Sequence, residues 1–395
     1  MAATLFGGEV PDTVPPQARP PVRLLIAGGG TGGHLMPALA IAQAVRERAP
    51  DVEPVLVGAE RGVEAKLLPT RDFRFHLLPT EPIYRRQWWK NYRWPLLLPR
   101  LLGRIGRLLD DERPAAVLGT GGYASGPVVY LAGRRGIPTA IQEQNAFPGL
   151  ASRWLSGRVS HAYLGLPELR HMLRFGERTE VFDTGNPVVP PAPERRAASV
   201  ARFGIVPGKP VVLITGGSQG ALAINRAAAT WVGSGRAAGK TVLWVTGRGT
   251  YTEFAVSHRP PDLHVIDFLD PMADAYAVAD LVVSRAGMIT VAELCAWGLA
   301  SILIPLPTAA ADHQTHNARV LGEAGAAEVL LQRDLSGASL GDHIDALLAD
   351  EPRRRRIAQA ALARGRPHAS DDIASKLLTL AGGSRTVANR GASLD

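Results

Sequence analysis

The stretch GGGTGGH, Gly28–His34, directly follows the apolar run Val22–Ile26 and leads into an alanine-rich segment. Glycines let a backbone approach a ligand closely, and the first N–H groups of a helix lack intrahelical partners and attract anions. His34 stands in one short turn with Gly32, Gly33 and Pro37, either as part of the helix start or as a group that does chemistry. A dinucleotide site is the other common use of such a loop. Its fingerprint carries an acid about 20 residues on, at the end of the second strand. Here the second apolar run closes at Val57–Gly58 and Glu60 lies beyond it, so the match is poor.

Four further polar groupings have spacings that suit ligand binding. The turn GGSQGA, Gly216–Ala221, is of phosphate-cradling type, with the Ser218 hydroxyl as an extra hydrogen-bonding group. In SRAGMITVAELCAWG, Ser284–Gly298, a helix is expected from near Ile289, and Thr290 and Glu293 then share a face. A carboxylate there accepts two hydrogen bonds from a ribose diol, or else it caps its own helix. PTAAADHQTHNA, Pro307–Ala318, crowds Asp312, His313, Gln314, His316 and Asn317. No second cluster with ligand spacing accompanies His313 and His316, so hydrogen bonding to a polyhydroxylated ligand is preferred to a metal site. GTGGYASGP (Gly119–Pro127) and IQEQNAFPG (Ile141–Gly149) bring Tyr123, Glu143, Gln144 and Asn145 to the carboxyl edge of one sheet. Open α/β sheets bind ligands at that edge.

The elements that must hold these groups alternate short β-branched runs with helical patterns, which is parallel α/β construction. Strands are expected at Val22–Ile26, Pro54–Val57, Ala116–Leu118, Thr139–Gln142 and His161–Leu164. A second series is expected at Val211–Thr215, Val242–Thr246, Leu263–Asp267, Leu281–Ser284 and Ser301–Pro305. Both series open with strand, glycine turn and helix, which implies two Rossmann-like domains in tandem. Their boundary falls in the proline-rich Gly185–Ala197. The expected division is a flexible leader over 1–20, a first domain over 21–187, a second over 188–381 whose last helix returns to the first, and a flexible tail over 382–395.

The 395 residues carry one cysteine, Cys295, so no disulfide framework is expected and a reducing cytoplasm is the fitting compartment. Net charge is +8, with arginine dominating the basic residues. No run reaches the roughly 18 apolar residues of a membrane span. One segment, YRRQWWKNYRWPLLLPRLLGRIGRLL (Tyr84–Leu109), sets Trp88, Trp89 and Trp94 among Arg85, Arg86, Lys90 and Arg93, with leucines following. It reads as a core helix with snorkelling arginines, a membrane-surface segment, or a stacking platform for single-stranded nucleic acid.

GGGTGGHLMPALAIA, GTGGYASGP, QEQNAFPG, GNPV, GGSQGALAIN, SRAGMITVAEL and DHQTHNA occur in this order from about Arg23 to Gly382. Together they closely resemble the MurG family of bacterial UDP-N-acetylglucosamine:lipid I N-acetylglucosaminyltransferases. The resemblance implies a GT-B fold, two Rossmann-like domains facing across a cleft. It implies transfer of N-acetylglucosamine, with inversion, from UDP to the muramoyl C4 hydroxyl of undecaprenyl-linked lipid I, giving lipid II for peptidoglycan. By position it implies a donor site of Thr31, Gly32, Gly33, Asn145, Ser218, Leu269, Met288, Ile289, Thr290, Val291, Ala292, Glu293 and Gln314. Glu293 would hold the ribose hydroxyls and Gln314 the sugar. Tyr123 and Gln144 would lie on the acceptor side. A UDP-N-acetylglucosamine 2-epimerase, or a GT-B transferase for another lipid, is the competing reading.

Displacement at the anomeric carbon needs a base for the acceptor hydroxyl and stabilisation of the leaving diphosphate. His34 is the expected base, or the group that orients the acceptor, with Glu143 as its competitor. The Gly216–Gly220 loop and its helix dipole are expected to stabilise the diphosphate in place of a tightly bound metal; a divalent cation would at most assist. The expected partners are UDP-N-acetylglucosamine, lipid I, an anionic membrane surface met through Arg85, Arg86, Trp88, Trp89 and Trp94, and other cell-wall synthesis proteins, with no nucleic acid. The expected location is peripheral, on the cytoplasmic face of the inner membrane, in a process that serves cell shape and division. Two departures stand out. Val189 follows GNPV where the family usually has arginine, leaving Arg285 or a nearby arginine to substitute, and Gln142 stands where the family often has histidine.

Overall fold

The strands Val22–Ala27 (β1), Val52–Ala59 (β2), Arg74–Leu78 (β3), Ala116–Gly119 (β4), Thr139–Glu143 (β5), His161–Leu164 (β6) and Glu180–Phe182 (β7) form one sheet. Its order is β3-β2-β1-β4-β5-β6-β7, and every pairing is parallel. A second parallel sheet contains Val211–Thr215 (β8), Thr241–Val245 (β9), Leu263–Ile266 (β10), Leu281–Ser284 (β11), Ser301–Leu303 (β12) and Glu328–Val329 (β13), ordered β10-β9-β8-β11-β12-β13. These facts come from a computed structural model that describes residues 21–30, 32–81, 88–217 and 219–391. The central strands are apolar throughout because helices cover both faces of each sheet: Leu24, Leu25, Ile26, Val212, Leu213 and Ile214 are all fully buried. The strands absent from the sequence reading, β3, β7 and β13, are edge strands. Each is paired on one side only, so half-exposed polar residues such as Arg74, His76 and Glu180 interrupt the apolar pattern.

The helix Gly32–Arg48 leaves β1 and is apolar nearly all round. It is covered from both sides, by the sheet and by the last helix, Ala369–Gly391. Leu35, Ile41 and Val45 share one core with Ile373, Ala374 and Leu377. The described residues thus start and end on the same domain. Between the sheets, the helix Arg196–Phe203 is fixed to the second domain by Arg195 and Arg202, which both pair with Asp274.

Candidate active site

In each sheet the strand order reverses beside the first strand, between β1 and β4 and between β8 and β11, and a crevice opens there. In the first domain the turn after β1 runs through Gly28–Gly30 and the turn after β4 through Thr120–Gly122. Gly30, Gly121 and Gly122 have φ of 94°, 98° and 81°, which side chains rarely adopt. The turns touch: Gly29 N–H donates to the Gly121 carbonyl at 3.4 Å, and a Cβ on Gly122 would overlap the Gly29 carbonyl.

His34 is the third residue of its helix, inside the first turn and not at the cap. Its ring lies against Gly121, and Thr120 Oγ1 donates to its carbonyl at 2.9 Å. Burial depresses the ionisation of the imidazole, Glu143 acts the other way, and His313 from the second domain depresses it further. The ring is therefore predominantly neutral at pH 7 and competent to accept a proton.

Glu143 does not present a comparable base. Its Oε1 accepts the Asn145 N–H at 3.0 Å and its Oε2 the Gly149 N–H at 2.9 Å, so both oxygens hold the following loop. Gln144 is buried under the crevice and not on its wall. It donates to the Thr120 carbonyl at 2.6 Å and to Gln142, which itself donates to Asn186 at 3.0 Å. Gln142 thus serves a buried amide network. Tyr123 borders the crevice next to Gly30, with its hydroxyl donating to the Arg61 carbonyl at 2.8 Å.

In the second domain Gly217 and Gly220 take φ of 80° and 73° between β8 and the helix Leu222–Gly233. The helix Met288–Trp297 starts one residue earlier than expected and is capped by Gly287 without a side-chain hydrogen bond. Glu293, the sixth residue, is therefore no helix cap. Its Oε2 accepts the Tyr276 hydroxyl at 3.0 Å, and burial pushes its pKa up to about 7, with the Tyr276 bond opposing. Thr290 precedes it on the same face, and Leu269 is buried in the turn after β10. Gln314 Oε1 accepts the Leu306 N–H at 3.0 Å, leaving its amide donors for a ligand. Arg285 does not replace the arginine missing at Val189. Its guanidinium is buried against the Ile304 and Pro305 carbonyls, at 3.1 and 3.3 Å, and Gln332 at 2.7 Å. Thr31, Ser218, Arg85 and Arg86 lie outside the described residues, and Trp88 is described only in its backbone.

The two crevices meet at Asn317, which sequence reasoning placed in a polar cluster without giving it a role. Fully buried, it accepts the Ala146 N–H at 2.9 Å from the first domain and donates to the Ala286 carbonyl at 3.0 Å in the second. Beside it Phe147 stacks on His316 at 4.9 Å. Removing Asn317 strands two buried backbone groups, so Asn317→Ala is expected to lower the unfolding free energy by about 1–3 kcal/mol. Urea denaturation would measure it. Tyr276 was likewise missed, because only the fold brings it to Glu293.

The tryptophan-rich segment divides in two. Trp94 and the buried Leu101, Ile105, Leu108 and Leu109 of the helix Trp94–Glu112 pack on the first-domain core, which corrects the outward placement expected of Trp94. Other side chains between positions 89 and 102 face outward: Leu96 is 73% exposed and Tyr92 77%, with Trp89, Leu98 and Leu102 also exposed, as are Arg100 and Arg107. No described helix is long and apolar enough to cross a membrane.

The glycosyltransferase family 28 N-terminal domain matches residues 24–164 and the family's C-terminal domain matches residues 211–373. A protein of Prosthecochloris aestuarii named UDP-N-acetylglucosamine–N-acetylmuramyl-(pentapeptide) pyrophosphoryl-undecaprenol N-acetylglucosamine transferase is 37% identical, over 91% of this chain and 99% of its own. The crystal structure of Acinetobacter baumannii MurG superposes with a TM-score of 0.72 at 25% identity, covering 91% of this chain and all of that one. A putative UDP-N-acetylglucosamine 2-epimerase of Listeria monocytogenes shares the fold at 13% identity and a TM-score of 0.61, covering 89% of this chain and 94% of that one.

Proposed function

The chain belongs to glycosyltransferase family 28, and we infer that it is the hexosyltransferase its full-length relatives are named for, moving N-acetylglucosamine from UDP to lipid I. What carries this reading is the match to such a transferase along nine-tenths of both chains. The likeness to the epimerase is one of fold alone. The cleft supports it chemically. His34 takes the proton of the muramoyl C4 hydroxyl as that oxygen attacks the anomeric carbon, the bond from that carbon to the UDP oxygen breaks, and UDP leaves with the electron pair. On this reading the N-terminus of the helix Leu222–Gly233, which follows β8, supplies positive partial charge to the leaving diphosphate, and the scheme invokes no resident metal. Glu293 accepts hydrogen bonds from the ribose diol, and Gln314 donates to the sugar.

The exposed apolar start of the Trp94–Glu112 helix, with Arg100 and Arg107 exposed on the same helix, supports docking at an anionic membrane surface. There a lipid-linked acceptor is reached from the cytoplasmic side. Each such side chain contributes about 1.5–3 kcal/mol when removed from water. The double variant Trp89→Glu/Leu96→Glu is accordingly expected to bind anionic vesicles at least about tenfold more weakly in flotation, and unchanged partitioning would sink the docking reading.

Incubation with UDP-N-acetylglucosamine and a short-chain lipid I analogue tests the whole. Disaccharide-lipid and UDP are expected in equal amounts. Epimerised UDP-sugar without transfer would instead favour the 2-epimerase.

A further inference from the structure

Glu64 has no part in the scheme above, yet its side chain is tightly enclosed under the first crevice. It follows β2 and turns its side chain back beneath the Gly28–Gly30 turn, fully buried. Its Oε1 accepts the Gly30 N–H. The space around the carboxylate exists only because the neighbours lack side chains. A Cβ on Gly29 or Gly62 would overlap it, and one on Gly58 would sit 2.7 Å from the Glu64 Cβ. Oε2 has no hydrogen-bond partner among the described residues. Burial pushes the carboxyl above its ordinary range, with the Gly30 bond acting against this.

The three N–H groups of the turn are all satisfied internally. Gly28 donates to the Val57 carbonyl at 3.0 Å, Gly29 to Gly121 and Gly30 to Glu64. Turns of this type ordinarily offer such groups to a phosphate. Here the acceptor is built in, as the Glu64 carboxyl. We propose that Glu64 is a positioning residue of the transfer reaction, an internal hydrogen-bond acceptor that fills the first glycine loop and fixes the start of the helix bearing His34. The nucleotide diphosphate is thereby left to the second loop, after β8. The acid missing from the end of β2 is thus present five residues further on and turned inward, away from any ribose.

This inference rests on the proposed transfer, and the test separates the two. Transfer to the lipid I analogue is measured for the full chain at varied UDP-N-acetylglucosamine, together with thermal melting. Glu64→Ala is expected to lower kcat about 10- to 100-fold with the donor KM within about twofold, since loss of alignment acts on the reacting geometry. Glu64→Gln keeps an oxygen for the Gly30 N–H and is expected to restore kcat to within about threefold of wild type. A folded Glu64→Ala with wild-type kcat, a loss appearing in the donor KM, or a Glu64→Gln as impaired as Glu64→Ala would each overturn the proposal. If Glu64→Ala does not fold, Gly62→Ala decides, because its methyl displaces Oε2 while the acid stays. A lowered kcat supports positioning and an unchanged one overturns it. A wild-type chain that transfers nothing would overturn the proposed function first, and this inference with it.

Discussion

The His34→Ala variant is expected to bind UDP-N-acetylglucosamine with a KM within about threefold of wild type while kcat falls by about 10²–10⁴-fold, the range for loss of a general base. The expectation follows from where the ring is held. The ring lies close against Gly121 and Thr120 donates to the His34 carbonyl, so the imidazole is held between the β1 and β4 turns. Burial, opposed by Glu143 and aided by His313, keeps it neutral into the acid range. The wild-type kcat should therefore hold from pH 8 down to about 6.5, the ordinary histidine value, and fall only at lower pH, where the base becomes protonated. Glu143→Gln gives the contrast. Both carboxylate oxygens are engaged by backbone N–H groups, so its substitution should loosen the Asn145–Gly149 loop and lower the melting temperature, and, with its charge gone from beside His34, move that acid limb to lower pH. A folded His34→Ala enzyme with near-normal turnover would remove His34 from the chemistry.

Glu293→Ala is expected to raise the donor KM about 10- to 100-fold with a smaller effect on kcat, as hydrogen bonds to a charged group contribute about 1.5–3 kcal/mol. The wild type carries a pH signature for the same contact. Its carboxyl titrates near 7 because it is buried, and a ribose diol, which donates two hydrogen bonds, prefers the ionised form. The donor KM should therefore rise as pH falls below about 7, approaching tenfold per unit, and Glu293→Gln should show a high KM without that slope. The linked stability term has the opposite sense. A carboxyl whose folded pKa is raised favours the folded state below its ordinary value near 4.5, and loses that contribution as pH climbs through about 7. Ligand-free wild type should thus lose stability between pH 5 and 7.5 relative to Glu293→Gln. A donor KM flat across pH 6–8 would contradict the assignment.

Much of the architecture was legible along the chain. The apolar runs at Val22–Ile26 and Val211–Thr215, each followed by a glycine turn and a helix, mark the two domains, because a strand buried on both faces needs uninterrupted apolar residues. The glycine turns point to two crevices, since only glycine allows such close backbone approach. The edge strands β3, β7 and β13 stayed hidden, because strands paired on one side admit the polar residues that erase the pattern.

The sequence by itself determined the class of fold, the family and the positions of the polar clusters, all of which depend on local pattern and residue type. Only the tertiary structure decided what each polar group does. Glu143 and Arg285 look available in sequence, but backbone N–H groups take the one and backbone carbonyls the other. Glu293 owes its raised pKa to burial and finds its hydrogen-bond partner, Tyr276, 17 residues away, and Asn317 finds its first-domain partner 171 residues away. Hydrogen bonding and desolvation depend on distance in space. A carboxylate's role is therefore set by neighbours that the order of residues does not bring together.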